Sequence, residues 1–292
     1  MQKNRVSSLL FFILPGCILF GIFTIYPLIK TFILSFYEWG VRNENNIFVG
    51  LGNYIRVFSD STFRISIVNV FFYALVSVPG QMIIGLLLAY ILNQKIKGGK
   101  LFRVFYFLPV ITSWVVASLI FKYIFGNYGL VNYILNDLLR LIRININWLN
   151  ERWSALAVLQ LLGIWKGIGW AMVIFLAALQ KVPLQLYEAA KIDGCNHFKS
   201  FFLITIPLIK ENILFVLVML SIGAFNVFTS VYLITGGGPF NQTEMPLTLM
   251  YKNAFRYLDF GFASALSYIL AIIISIITIF QFKFFERSDG VE

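Results

Sequence analysis

The chain alternates between long apolar stretches and short polar segments. A helix that crosses a bilayer needs about 20 consecutive, mostly apolar residues, and six stretches satisfy this requirement. The predicted spans cover residues 8–36, 65–93, 104–125, 154–180, 213–234 and 260–282. The pattern therefore predicts an all-α integral membrane protein with six transmembrane helices, bent where Pro15, Pro27 or Pro79 interrupts a span.

A short amphipathic segment separates the first two spans. Leu51, Tyr54, Ile55 and Phe58 follow the spacing i, i+3, i+4, i+7, which places them on one side of a helix. The segment is predicted to be a helix that lies on the membrane surface or on the protein itself.

The longest polar interruption runs from Pro183 to Pro207 and has the signals of a helix–turn–helix. A proline opens the first helix, and Gly194 supplies the left-handed residue that ends it. Asn196 is the predicted N-cap of a second short helix, which is expected to end before Pro207.

Composition agrees with a membrane location. Hydrophobic residues make up 59% of the chain, charged residues only 12%, and the mean hydropathy is +0.82. The 23 basic residues exceed the 13 acidic ones. In a membrane protein this excess is expected to face anionic lipid headgroups and a partner surface rather than nucleic acid. Cys17 and Cys195 are too few and too far apart in sequence for a disulfide framework.

Several energy-coupling and catalytic features are absent from the sequence. No aspartate or glutamate lies inside a predicted span, which argues against a proton-driven carrier. Gly98-Gly99-Lys100 lacks the first glycine and the final serine or threonine of an ATP-binding P-loop. No catalytic constellation or metal-ligand spacing is present. We therefore expect that the chain is not an enzyme, holds no metal or cofactor, and relies on another subunit if ATP drives it.

Lys166 is the one charge at the centre of a predicted span, where it costs about 2.5–3.5 kcal/mol. It is expected to face protein or water, beside Gly167 and between Trp165 and Trp170. The tryptophan rings are suited to stacking against the apolar face of a sugar. In the alternative interpretation, Lys166 snorkels or binds neighbouring carbonyl oxygens, and the tryptophans only pack.

The fifth span has a second polar seam. Asn226, Thr229 and Ser230 are expected within one helical turn, with Tyr232 nearby. Amide and hydroxyl groups are suited to a hydroxyl-rich solute, although hydrogen bonds between helices explain them equally well.

The polar segment also resembles a known motif. Glu188-Ala189-Ala190, Gly194 three residues on, and Ile204-Thr205-Ile206-Pro207 resemble the EAA loop of binding-protein-dependent ABC permeases, with Ile206 in place of the usual leucine. Further stretches resemble recurring segments of the sugar branch of that family, the MalF type. These are FVGLGNY, LFRVFYFLP, IWKGIGW and TGGGP.

The resemblance implies a type I ABC importer permease fold with a cytoplasmic EAA coupling hairpin at residues 183–207. It implies a carbohydrate, with an oligosaccharide favoured, as the solute. The expected partners are a second, G-type permease subunit, two ATPase subunits that bind ATP and Mg²⁺, and an extracytoplasmic solute-binding protein. The chain would lie in a bacterial-type cytoplasmic membrane with both termini in the cytoplasm.

The resemblance also assigns residues. The coupling residues would be Glu188, Ala189, Ala190, Asp193 and Gly194. Five positions match sugar contacts in the maltose permease: Trp165, Lys166, Gly167, Trp170 and Asn226. With Thr229 and Tyr232 of the fifth span, they form the predicted solute pathway. Several side chains differ from the maltose permease, including Lys166, so the sugar need not be similar.

The expected domain organisation has three parts. Residues 1–63 hold the first span and an extracytoplasmic amphipathic segment, residues 64–285 form the core transmembrane domain of five helices with the EAA loop, and residues 286–292 form a cytoplasmic tail. The first alternative function is an importer of the same architecture for a solute such as glycerol phosphate, which Lys166 keeps open. The second is an autonomous carrier or channel, against which the missing carboxylates and the EAA hairpin argue.

Overall fold

The computed structural model describes residues 13–39, 47–94, 96–138 and 146–286. The start of the predicted first span and the tail after Glu286 lie outside these residues. The described chain is almost entirely helical, with one two-stranded antiparallel ribbon, β1 (Tyr37–Glu38) and β2 (Ile47–Phe48).

The helices of the N-terminal half are α1 (Ile13–Leu34), α2 (Gly52–Ser59), α3 (Ser61–Asn93), α4 (Gly99–Ile111), α5 (Trp114–Ile124) and α6 (Leu130–Tyr133). Those of the C-terminal half are α7 (Arg152–Leu179), α8 (Leu184–Ile192), α9 (His197–Ser200), α10 (Lys210–Phe225), α11 (Thr229–Ile234), α12 (Pro246–Phe255) and α13 (Phe260–Glu286).

Within the described residues, five helical segments are long and apolar enough to span a membrane. They are Ile13–Leu34, Ser61–Asn93, Arg152–Leu179, Lys210–Ile234 and Phe260–Phe285. The predicted third span is instead a pair of helices, α4 and α5, joined at an angle of 92°. A count of six spans is reached only if this pair is one span, so the count stays a prediction.

The continuous helix predicted over residues 104–125 is therefore wrong. Hydroxyl side chains stabilise the break, because Thr112 Oγ1 donates to the Leu108 carbonyl over 3.0 Å. Ser113 Oγ accepts a hydrogen bond from the Val115 amide at 3.3 Å and caps α5.

The fifth span is also interrupted, since α10 ends at Phe225 and α11 begins at Thr229. Asn226 therefore does not share a helical turn with Thr229 and Ser230. The prediction that the three residues lie within one turn is wrong. Its side-chain amide donates to the Ile222 carbonyl over 2.9 Å, and such local bonds compete with helical pairing where a helix ends.

The described residues form two compact units: those between positions 1 and 63 with those between 249 and 272, and those between 64 and 248 with those from 273 onward. Helix α7 is the centre of the second unit, and its buried residues include Leu159, Met172 and Phe175. Small residues let other helices approach α7 closely. A Cβ atom at Gly169 would overlap the Tyr106 carbonyl oxygen of α4, and one at Gly163 would overlap the Tyr73 hydroxyl of α3.

A polar network fixes the segment that follows α11 within this unit. The Asn69 amide donates to the carbonyl oxygens of Gln242 and Glu244, each over 2.8 Å. Arg152 in turn donates to Asn69 Oδ1 through Nε at 3.0 Å and Nη2 at 2.8 Å. The start of α3, the start of α7 and this loop are therefore held together by hydrogen bonds.

Candidate functional site

A cavity of about 220 Å³ lies within the second unit, between α3, α4, α5, α7 and α10. Its wall combines aromatic rings and small residues with a few polar groups. The lining residues are Tyr73, Gln81, Val110, Trp114, Gly163, Lys166, Gly167, Trp170, Met219, Leu220, Gly223 and Ala224. An apolar cavity with a small number of placed polar groups is the usual form of a site for a small molecule.

Three of the predicted pathway residues line this cavity, namely Lys166, Gly167 and Trp170. Gly167 abuts the Gln81 side chain, so a larger residue there would displace the amide from the wall. The Trp170 ring lies 6.3 Å from the ring of Phe215, at an interplanar angle of 31°. The predicted segment of α7 thus contributes one wall of the cavity.

The other four predicted pathway residues do not line it. Trp165 packs on Phe121, with ring centroids 5.6 Å apart, and is 40% exposed. Asn226 is exposed at the break between α10 and α11, and Thr229 begins α11. Tyr232 stacks on Phe228 with centroids 5.4 Å apart and an angle of 14°.

Three polar or aromatic wall residues were missed by the sequence analysis: Tyr73 and Gln81 on α3, and Trp114 at the start of α5. Gln81 is an amide in the middle of an apolar run, and this signal could have identified it. Trp114 could not have been found in this way, because it enters the wall only through the bend between α4 and α5.

Lys166 is buried, with 4% of its surface exposed. Its ammonium group is hydrogen bonded to the backbone at the bend between α4 and α5. Nζ donates to the Pro109 carbonyl oxygen at 2.9 Å and to the Thr112 carbonyl oxygen at 2.5 Å. It also lies 4.8 Å from the centroid of the Trp114 ring, within cation–π range. These are the neighbouring carbonyls of the alternative interpretation, so in this structure Lys166 stabilises the bend.

The polar segment 183–207 forms two helical stretches joined by a tight turn. Gly194 has φ +78°, the left-handed conformation predicted for it. The Cys195 amide donates to the Ala190 carbonyl at 2.8 Å, and the Gly194 amide to the Lys191 carbonyl at 3.2 Å. This pair of bonds is a Schellman motif, which ends α8 sharply.

The second stretch begins as predicted but continues further. Asn196 Oδ1 accepts a hydrogen bond from the Lys199 amide at 2.8 Å, which confirms the N-cap. The expectation that this helix ends before Pro207 is wrong. A π-helical turn at Phe201–Thr205 leads into Ile206–Leu208, where proline occupies the start of an α-helical turn. Proline lacks an amide hydrogen, and the first residues of a helical turn do not need one.

The two stretches are tied to each other and to the end of α3. The hydroxyl groups of Tyr187 and Thr205 are hydrogen bonded at 2.9 Å. The rings of Tyr90 and Phe201 meet edge to face with centroids 5.1 Å apart. A second cavity, of about 350 Å³, opens here and is lined by Tyr90, Tyr187, Glu188, Lys191, Cys195, Asn196 and Ser200.

The outer side of this hairpin is uncovered. Glu188, Ala189, Asp193 and Gly194 are exposed, and Ala190 is half-buried. Large apolar side chains are also exposed, including Ile192 at 87%, Phe198 at 72% and Leu184 at 70%. Exposed apolar side chains grouped in this way are typical of a surface that binds another protein.

If Lys166 holds the bend, Lys166→Met should loosen it. Two carbonyl groups lose their donor, and each unsatisfied group costs about 1–3 kcal/mol. We expect deuterium uptake at the amides of residues 112–118 to become roughly tenfold faster when measured by hydrogen exchange in nanodiscs. The exposed Lys181→Met is the matched control and should leave this segment unchanged. Equal uptake in both variants would contradict the assignment.

Comparison with known proteins identifies the family. Residues 81–288 match the model described as binding-protein-dependent transport system inner membrane component. The chain is 33% identical to YurN of Bacillus subtilis, a probable ABC transporter permease, over 99% of both chains. It is 34% identical to LacF of Rhizobium radiobacter, a lactose transport system permease, over 93% of this chain and 91% of the relative.

The fold has a solved counterpart in a crystal structure of a bacterial ABC transporter that imports the acidic polysaccharide alginate. The TM-score is 0.85 at 22% identity, over 98% of this chain and 97% of that chain. The predicted all-α membrane fold of an ABC importer permease and the predicted family are both confirmed, whereas the span count and the cytoplasmic side of the hairpin stay predictions. The chain belongs to the family of binding-protein-dependent transport system inner membrane components, which are multi-pass permeases of ABC transporters.

Proposed function

We propose that this chain is the F-type permease subunit of an ATP-driven importer for a carbohydrate, with an oligosaccharide as the favoured solute. The observation that carries the proposal is the cavity in the second unit. Trp114 and Trp170 offer flat apolar faces, while Gln81 and Tyr73 offer polar groups among them. Sugars have both apolar C–H faces and many hydroxyl groups, and this wall complements both. The lactose permease LacF, at 34% identity, supports the same class of solute.

The cavity is too small to hold an oligosaccharide alone. Its volume of about 220 Å³ is below the roughly 300–1,000 Å³ of typical ligand sites. In our proposal a second, G-type permease supplies the opposite wall of the pathway. Lys166, Gly167 and Trp170 are the pathway residues that this cavity supports. The other four predicted pathway residues do not line this cavity, and their contact with the solute stays a prediction. They are Trp165, Asn226, Thr229 and Tyr232.

The energy source in this proposal is ATP bound with Mg²⁺ by two partner ATPase subunits, so the chain itself has no catalytic role and no cofactor. The exposed hairpin is the proposed dock, with Glu188, Ala189, Ala190, Asp193 and Gly194 at its contact surface. ATP-driven closure of the ATPases would move both docked hairpins and shift the population between inward-open and outward-open states. An extracytoplasmic binding protein would deliver the solute.

The proposed orientation places both termini and the hairpin in the cytoplasm. The segment from Gln94 to Arg103, which joins α3 to α4 and includes the start of α4, contains Lys95, Lys97, Lys100 and Arg103 and no acidic residue. Loops of this charge favour the cytoplasmic side. The contact between Tyr90 and Phe201 supports the same side for the hairpin, because it joins the hairpin to the end of α3 that precedes this loop.

The function is tested by transport in liposomes. The chain together with its partner permease, ATPase subunits and binding protein should take up radiolabelled lactose or maltotriose only when ATP is enclosed with the ATPases. The chain alone should give no flux. Uptake of glycerol 3-phosphate without sugar uptake would support the first alternative, and flux through the chain alone would support an autonomous carrier.

The pathway is tested by variants of two tryptophans on the same helix. Trp170→Ala removes a ring from the cavity wall and should raise the half-saturating sugar concentration roughly tenfold, a loss of about 1.4 kcal/mol. Trp165→Ala is the comparison on the same helix, and a smaller rise is expected because its ring packs on Phe121 outside the cavity. Assembly is checked by gel filtration. A larger effect from Trp165→Ala than from Trp170→Ala would place the solute elsewhere.

The dock is tested by charge reversal. Glu188→Arg should reduce the amount of ATPase that copurifies with the tagged chain at least tenfold, because it puts a long cation where the partner approaches. Glu151→Arg, an equally exposed glutamate before α7, is the control and should retain the ATPase. If Glu188→Arg retains both the ATPase and sugar uptake, the hairpin is not the dock.

A further inference from the structure

Helix α2 is fixed to the first unit by its polar side. The Asn53 amide donates to the carbonyl oxygens of Ser35 at 3.0 Å and Tyr37 at 2.9 Å. The Tyr54 hydroxyl is hydrogen bonded to Ser35 Oγ at 2.8 Å. Both acceptor residues follow directly after α1, so α2 is anchored at the point where the first membrane helix ends.

The same side of α2 reaches the start of α13. Arg56 Nη2 and Asp259 Oδ2 form an ion pair at 2.7 Å. The Arg56 guanidinium also lies 5.6 Å from the centroid of the Phe262 ring. Asp259 Oδ1 accepts a hydrogen bond from the Phe262 amide at 3.0 Å and so caps α13. Helix α2 therefore lies at the level where one span ends and another begins.

The opposite side of α2 is apolar and mostly exposed, with one edge-to-face contact between the rings of Phe58 and Phe63 at 5.7 Å. Leu51, Ile55 and Phe58 are 63%, 65% and 60% exposed. We call these three residues the apolar stripe. The sequence analysis also placed Tyr54 on this side, but in the structure its hydroxyl points inward to Ser35. The neighbouring β2 adds Phe48, which is 66% exposed.

We propose that α2 is an interfacial helix whose apolar stripe inserts into the boundary between headgroups and acyl chains, in the leaflet where α1 ends and α13 begins. The occupant of this surface is the lipid bilayer. This contact with lipid would form whichever solute the transporter carries.

Continuity with the spans favours lipid over a protein partner. No residue in the hydrophobic window of α1 is buried within the structure, and the stripe lies on a helix that is anchored where α1 ends. The stripe contains no polar or charged side chain, whereas Arg56 and Ser59 lie beside it on the helix. A helix with an exposed apolar side and a polar side that is fixed to the protein is suited to the membrane surface, where about 5–10 Å of insertion covers the apolar side.

The test measures the depth of spin labels in the assembled transporter, reconstituted in liposomes of neutral and anionic phospholipid. Cys17 and Cys195 are first replaced by serine. Single cysteines at Ile55 and Phe58 are labelled, and collision rates with oxygen and with a water-soluble nickel chelate are compared. Phe23→Cys, in α1 and 74% exposed, gives the value for lipid, and Tyr128→Cys, 97% exposed, gives the value for water.

We expect oxygen-to-nickel collision ratios at Ile55 and Phe58 that are several-fold above the value at Tyr128 and below the value at Phe23. Ser59→Cys is the matched control on the same helix, about 100° around from Phe58, and should give a ratio closer to water. Ratios equal to that of Tyr128 would overturn the proposal in favour of a water-exposed helix. Low collision rates with both reagents would overturn it in favour of a protein partner.

A second measurement does not depend on cysteine labels. Phe58→Trp keeps an aromatic ring in the stripe, and its fluorescence, after subtraction of the parent signal, should be quenched by lipids brominated near the headgroup. Absence of added quenching in a correctly assembled transporter would overturn the proposal independently of the labels.

Discussion

A backbone group that has no hydrogen-bond partner is costly inside a membrane, and this constraint governs the unusual features of the second unit. The chain bends by 92° between α4 and α5, and the bend releases carbonyl groups from helical pairing. Lys166 donates to two of them, at Pro109 and Thr112. A buried cation costs about 2.5–3.5 kcal/mol at mid-span. The two hydrogen bonds, together with the cation–π contact to the Trp114 ring, offset that cost. The cavity wall is a consequence of the same bend, since it is the bend that brings Trp114 to Lys166.

Close helix packing gives the cavity its other walls. Gly163 and Gly167 let the side chains of Tyr73 and Gln81 lie directly against α7. Small residues therefore bring polar groups of α3 to the same space as Trp170. The cavity wall therefore combines polar groups with aromatic rings, which is the combination that the proposed sugar would need.

The hairpin and α2 both join helices through rigid local bonds. In the hairpin, the exposed tip is fixed to the helices that follow by three local features. These are a Schellman motif, an N-cap and the hydrogen bond between Tyr187 and Thr205. In the proposed function, a displacement applied at the tip would be passed on to these helices. In the first unit, Asn53 ties α2 to the end of α1 and Arg56 ties it to the start of α13.

The sequence alone determined the membrane class, the approximate positions of the spans, the family and the turn chemistry at Gly194 and Asn196. Each of these depends on residues near in sequence, on apolar run length or on a spaced motif. Only the tertiary structure decided what Lys166 contacts, which tryptophans line the cavity and where spans three and five break. Those outcomes depend on hydrogen bonds and packing between helices that are distant in sequence. The partners of Lys166, more than 50 residues away, are set by that packing and leave no periodic signal in the chain.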